Sequence, residues 1–183
     1  MMNIEVKRMM DEEYRNLDTS HYIPTILFVK LSDPSEEAFW QNEKGDWIDL
    51  KVAQDYDIKK GDFTLLDLGV AMKLPDGFEA IIAPRSSTFK KYGLLQTNGI
   101  GIIDNTYCGN NDIWKMPVLA TRNTLIPKGT PIAQFKIQLS QKATIWQKLR
   151  WLFSPKIELV KVDELHNEDR GGLGTGSDKY RTK

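Results

Sequence analysis

A single cysteine, Cys108, stands in 183 residues, so no internal disulfide can form. The chain has no need of one, because a domain of that length buries most of a core without a staple. Histidine is almost as scarce: His21 and His166 are far apart, which leaves no clustered Cys/His set for a structural or catalytic zinc. An excess of one charge is missing too. The 25 Lys and Arg balance 25 Asp and Glu, which argues against a sequence-wide attraction to nucleic acid or to a membrane surface and leaves room for a local cationic pocket. No apolar run approaches the length of a bilayer span, and residues 1–14 mix Glu, Lys, Arg and Asp where a secretion signal would be apolar. A reducing, cytoplasmic location is the expectation.

Long helical periodicity is also rare. What the chain offers instead is short apolar runs separated by turn chemistry, at residues 22–31, 47–52, 63–74, 78–83, 100–103, 113–120, 131–137 and 156–162. Many short strands at such spacing predict an all-β barrel or sandwich. Helix is confined to two places. Asp33 as N-cap, Pro34 at the first helical position and Glu36 at the acid of a capping box predict a short helix over 33–42, stopped by Glu43-Lys44-Gly45-Asp46. Over 143–153, Ile145, Trp146, Leu149, Leu152 and Phe153 share a helical face with Gln147, Lys148 and Arg150 opposite. That pattern suits a helix packed on the barrel or on a neighbouring subunit, with a membrane-surface helix as the alternative. Residues 1–165 thus read as one β domain and 166–183 as a glycine-rich tail.

The stretch Asn98-Gly99-Ile100-Gly101-Ile102-Ile103-Asp104-Asn105-Thr106-Tyr107 puts an acid, an aromatic and glycines inside an apolar run. Glycines there mark a bend, a bulge or a ligand brought close to the backbone. Asp104-Asn105 breaks the run, which predicts two strands joined by a short hairpin. Asp104 beside Tyr107 suits a general base next to a ring-shaped substrate, or simply a turn aspartate with a half-buried tyrosine. In the tail, Arg170-Gly171-Gly172-Leu173-Gly174-Thr175-Gly176 has too little apolar surface to order itself. It is either a disordered end or a segment that folds over a polyphosphate, since backbone N–H groups without side chains approach oxygens closely.

In order, Asp49-Leu50, Ala83-Pro84-Arg85-Ser86-Ser87, Gly101 to Gly109, Gly129-Thr130-Pro131-Ile132-Ala133-Gln134 and Arg170 to Gly176 resemble the five motifs of the trimeric dUTPases. The resemblance implies a jelly-roll-like β fold and a homotrimer whose active sites are each built from three chains. It also implies Mg²⁺-dependent hydrolysis of dUTP to dUMP and pyrophosphate, which keeps uracil out of DNA and supplies dUMP. Carried over to this sequence, Asp104 would activate the water that attacks the α-phosphorus. Tyr107 would lie against the deoxyribose and leave no room for a ribose 2′-hydroxyl. Asn98 and the backbone around Gly99 and Gly101 would read the uracil edge. Arg85, Ser86, Ser87, Gln134 and Arg170 would hold the phosphates, and Gly171, Gly172 and Leu173 would close over the bound nucleotide. Mg²⁺ would bind through phosphate oxygens and waters, with no direct protein ligand. Asp49 would join the metal-water and phosphate-arginine network, or pin Arg85.

Three features depart from that pattern. Leu173 stands where most relatives carry an aromatic, Ser87 where many carry glycine, and the tail motif is one residue short of the commonest form. Residues 140–153 and the helix near Asp33 have no counterpart in the shortest relatives and read as additions that thicken the surface or the trimer contact. Two other functions stay open. One is dCTP deaminase, which shares the fold but uses a glutamate where this chain reads Ile113-Trp114-Lys115-Met116-Pro117-Val118-Leu119. The other is a trimeric regulator that binds a protein partner through Trp146, Trp151 and Phe153.

Overall fold

Along Thr25–Leu31 buried and part-exposed side chains alternate without a break, the period expected of a strand with one face on a core. The computed structural model describes residues 7–8, 25–33, 39–41, 45–153 and 157–165. Its elements in chain order are β1 (Lys7–Arg8), β2 (Thr25–Leu31), β3 (Phe39–Gln41), β4 (Ile48–Lys51), β5 (Tyr56–Ile58), β6 (Phe63–Asp67), β7 (Val70–Lys73), β8 (Phe78–Pro84), α1 (Thr88–Tyr92), β9 (Leu94–Gln96), β10 (Gly101–Asp104), β11 (Lys115–Ala120), β12 (Thr124–Ile126), β13 (Pro131–Leu139), α2 (Ile145–Phe153) and β14 (Ile157–Lys161).

The strands form sheets of order β1-β14-β2-β7, β10-β8-β13-β4-β3, β6-β11-β9 and β12-β5. Most pairs are antiparallel, but β14 runs parallel to β2, with Leu159 opposite Leu27, so nearly the whole chain lies between two neighbouring strands. The inward side chains meet in one core, where Leu27, Leu50, Leu66, Met72, Met116 and Phe135 are fully buried. Trp114 and Phe135 pack edge to face at 5.2 Å between centroids. Strands predominate and the arrangement is the all-β one expected.

Two expectations need correction. The helix predicted over 33–42 is absent where the structure can test it: Phe39–Gln41 is β3, antiparallel to β4 with Phe39 opposite Leu50 and Gln41 opposite Ile48. Aromatic residues favour a pleated surface, and a waiting strand edge outweighs the capping signal. Residues 34–38, which carry that signal, lie outside the described residues. The helix foreseen over 143–153 is α2, but it is turned over. Gln147 and Trp151 face the body, Trp151 edge-on to Phe78 at 5.1 Å, while Trp146, Leu152 and Phe153 are 77%, 71% and 78% exposed. The apolar face is thus not packed on its own barrel.

Candidate active site

Strand β8 organises the residues singled out from sequence. Across its sheet Ala83 stands opposite Gln134, and Gln134 opposite Asp49, so three sequence segments meet in one row. Arg85 follows directly at the end of β8. Its Nε donates to Asp49 Oδ1 at 2.9 Å and its backbone N–H to the Ile132 carbonyl at 3.2 Å. Gln134 Nε2 donates to the Pro84 carbonyl at 3.3 Å. Burial raises the Asp49 pKa above its ordinary value, and the Arg85 charge and hydrogen bond pull it back. With only Nε spent on Asp49, the half-buried guanidinium keeps its terminal N–H donors for an anion. Ser86 is exposed, and Ser87 takes the N-cap position of α1, its carbonyl accepting from the Lys91 N–H at 2.9 Å.

Within the stretch from Asn98 to Tyr107, β10 pairs with the side of β8 opposite β13. β10 is an edge strand, with Gly101 opposite Ile82 and Asp104 opposite Glu79, so its outer backbone groups are available to a ligand. The turn before it is tight: the Ile100 N–H donates to the Asn98 carbonyl at 2.7 Å, and Gly99 has φ 69°, where residues with a Cβ are strained. Gly101 serves close approach, because a Cβ there would stand 3.3 Å from Ile82 Cβ. Asp104 is exposed, and its Oδ1 accepts from the Thr106 N–H at 2.8 Å and from the Thr106 hydroxyl. Tyr107 is 8% exposed and its hydroxyl donates to the Ile113 carbonyl at 3.1 Å.

The hairpin expected across Asp104-Asn105 is not formed. β10 pairs with β8, whereas the next strand, β11, pairs with β6 and β9 in another sheet. Side chains explain the change of course. Asp104 holds the turn at Thr106, and Asp112, fully buried, accepts from the Gly109 N–H at 2.9 Å, so two local turns carry the chain between sheets.

The structure therefore gathers Asp49, Arg85 and Gln134 in one cluster and Asn98, Gly99, Gly101, Asp104 and Tyr107 along another line. Asp104 and Arg85 sit six β8 positions apart, about 20 Å at the usual rise per residue. Clefts of about 200 Å³ beneath α2 and about 280 Å³ beside Lys51 and Lys128 contain none of these residues. Arg170, Gly171, Gly172 and Leu173 lie outside the described residues. Two residues not singled out from the sequence hydrogen-bond to candidate side chains, Thr106 to Asp104 and Gln96 to Asn98. Thr106 was legible, since Asp-x-Thr is turn chemistry. Gln96, which holds Asn98 at 2.9 Å, gave no signal.

The family model for dUTPase matches residues 44–177. The chain belongs to the dUTPase family. Among relatives, the SPbeta prophage-derived deoxyuridine 5′-triphosphate nucleotidohydrolase YosS of Bacillus subtilis is 44% identical over 151 residues, covering 82% of this chain and 97% of that protein. A mutant dUTPase from phage phi11 of S. aureus, described with a structural Mg(II) ion, matches at TM-score 0.56 and 17% identity over 65% of this chain and 94% of that one. The Streptococcus mutans dUTPase matches at 0.54 and 22% identity over 63% and 98%. These two likenesses establish the dUTPase fold. Among the described residues no three His, Cys, Asp or Glu gather into a metal cluster, and no helix is long and apolar enough to cross a membrane.

Proposed function

We propose that this dUTPase hydrolyses dUTP to dUMP and pyrophosphate as a cytoplasmic homotrimer with shared sites. The observation that carries the chemistry is Asp104, an exposed carboxylate at the end of an edge strand, aimed by two hydrogen bonds from Thr106 and set beside Tyr107. Asp104 takes a proton from water as the water oxygen bonds to the α-phosphorus. The bond from that phosphorus to the bridging oxygen breaks on the far side, and pyrophosphate leaves. Asn98 and the free edge of β10 read uracil, while Tyr107 closes against the deoxyribose.

Arg85, Ser86, Ser87 and Gln134 hold the phosphates, with Arg85 aimed by Asp49. The donor set around Arg85 is one carboxylate already engaged, plus amides and hydroxyls. It suits a Mg²⁺ delivered on triphosphate oxygens, whose waters Asp49 would help to hold. Bound there, the ion supplies positive charge to the phosphate oxygens. Arg170, Gly171, Gly172 and Leu173 close the site from another subunit, Leu173 covering the base by apolar contact without the roughly 1–3 kcal/mol of an aromatic stack. An unchanged KM in Leu173→Phe would count against that last role.

Two observations support the trimer. A single chain keeps Asp104 and Arg85 apart, so one nucleotide meets both only across a subunit boundary. Phe63, Leu119 and Leu95 also stand side by side across β6, β11 and β9, 60%, 38% and 46% exposed, an apolar row of the kind that subunits cover.

The test is pyrophosphate release from dUTP, dCTP, dTTP and UTP, with and without EDTA. Release confined to dUTP and lost with chelator supports the proposal; ammonia from dCTP, or no release by a folded trimer, refutes it. The outward face of α2 favours a second role as a contact for a protein partner. If Trp146→Glu breaks the trimer, that face belongs to a subunit interface and the second role falls.

A further inference from the structure

Gln96 ends β9 two residues before Asn98. Its Nε2 donates to the Ile82 backbone carbonyl at 3.3 Å and to Asn98 Oδ1 at 2.9 Å. A backbone carbonyl only accepts, so the nitrogen of Gln96 must face Ile82. The same nitrogen then meets Asn98, which has to answer with its oxygen. The orientations of both amides follow from one fixed acceptor. Asn98 consequently turns its NH₂ group away from Gln96.

The arrangement carries a cost. Gln96 Oε1 is buried without a hydrogen-bond partner, a state that native structures rarely leave unexplained. Turning the amide over would set that oxygen against the Ile82 carbonyl, so the orphaned acceptor persists because the nitrogen is needed where it is. Gly101 lies beside the pair: a Cβ there would stand 3.6 Å from Gln96 Nε2, an ordinary contact. The glutamine and the asparagine form one hydrogen-bonded unit anchored on β8 at Ile82.

We propose that Gln96 is a positioning residue for base recognition, holding the Asn98 amide so that its NH₂ donors face the nucleotide and meet a carbonyl oxygen of uracil. This rests on the reading of Asn98 as a base contact. Gln96 itself touches no substrate.

The experiment is steady-state hydrolysis of dUTP by Gln96→Leu, Asn98→Ala and the double variant, with Gln96→Met in place of Gln96→Leu if the leucine variant fails to fold. Gln96→Leu is expected to raise KM about three- to tenfold, the range of one neutral hydrogen bond, and to leave kcat within about twofold. In the Asn98→Ala background the same change adds nothing, because Gln96 acts only through Asn98. If Asn98→Ala raises KM while the Gln96 change is silent, or adds its full effect in the double variant, the inference about Gln96 is overturned and the base contact stands. If Asn98→Ala leaves KM unchanged, the base contact itself falls, and the Gln96 inference with it.

Discussion

Asp104 and Arg85 stand at opposite ends of a single strand, Asp104 opposite Glu79 and Arg85 just past Pro84. A sheet does not bend enough within one strand to bring its ends onto one triphosphate. Under the proposed function this separation ties the chemistry to the oligomer: each nucleotide would take its base from one chain and its phosphate contacts from another.

The exposed apolar row on β6, β11 and β9 offers a test of that assembly. Leu119→Lys places a charge between Phe63 and Leu95, its neighbours across the sheet. It should convert the trimer to monomers in light scattering and abolish dUTP hydrolysis, with far-UV circular dichroism unchanged. A trimer that survives the charge would show that another face holds it together.

Asp104→Asn should lower kcat by about 10²–10⁴-fold, the usual worth of a positioned acid or base, and leave the melting temperature nearly unchanged because the side chain is exposed. Thr106→Val keeps the backbone N–H to Asp104 and removes the hydroxyl. A kcat loss of about tenfold is expected, the worth of one hydrogen bond to a charged group. Equal kcat in wild type and Thr106→Val would mean that the hydroxyl does not aim the carboxylate.

The burial of Asp49 yields a pH signature. Its folded pKa lies above the ordinary 3.8, burial being the largest cause and Arg85 opposing it. The folded protein therefore holds this proton to higher pH than the unfolded chain. The contribution of Asp49 to stability is fullest below the ordinary value and declines as pH rises through the folded one. The difference in unfolding free energy between wild type and Asp49→Asn, from urea titrations, should fall with rising pH across that window. A difference that rises would place the Arg85 attraction above the burial cost.

Gly101→Ala tests the close approach of β10 to β8. The added methyl meets Ile82 Cβ at 3.3 Å and the Ile82 carbonyl at 3.6 Å, so the edge strand must move outward at a cost of about 1–3 kcal/mol. A urea midpoint equal to wild type would show that the strand yields freely.

The sequence told the fold class, most strands and α2, because apolar runs between turn residues report burial directly. It misled where local chemistry competed with pairing, as at Phe39–Gln41, drawn into β3. The five-residue helix α1 was too short to show periodicity, though Gly93 at its C-cap and Lys90 and Lys91 in its last turn are stop signals. The Asp49–Arg85 pair joins residues 36 positions apart, which no local pattern reveals; only the ordered motifs pointed to it. The outward turn of α2 was hidden because Gln147, on its polar face, has a partner the helix alone does not contain, the Asp76 carbonyl at 2.7 Å.

Mixing two inactive variants tests the shared site most directly. Asp104→Asn keeps a sound Arg85, and Arg85→Ala keeps a sound Asp104. Unfolded together in equal amounts and refolded as mixed trimers, they should regain dUTP hydrolysis at about a quarter of the sites, since random assembly pairs an intact half with an intact half that often. Mixed trimers that form but release no pyrophosphate would contradict a site built across the subunit boundary.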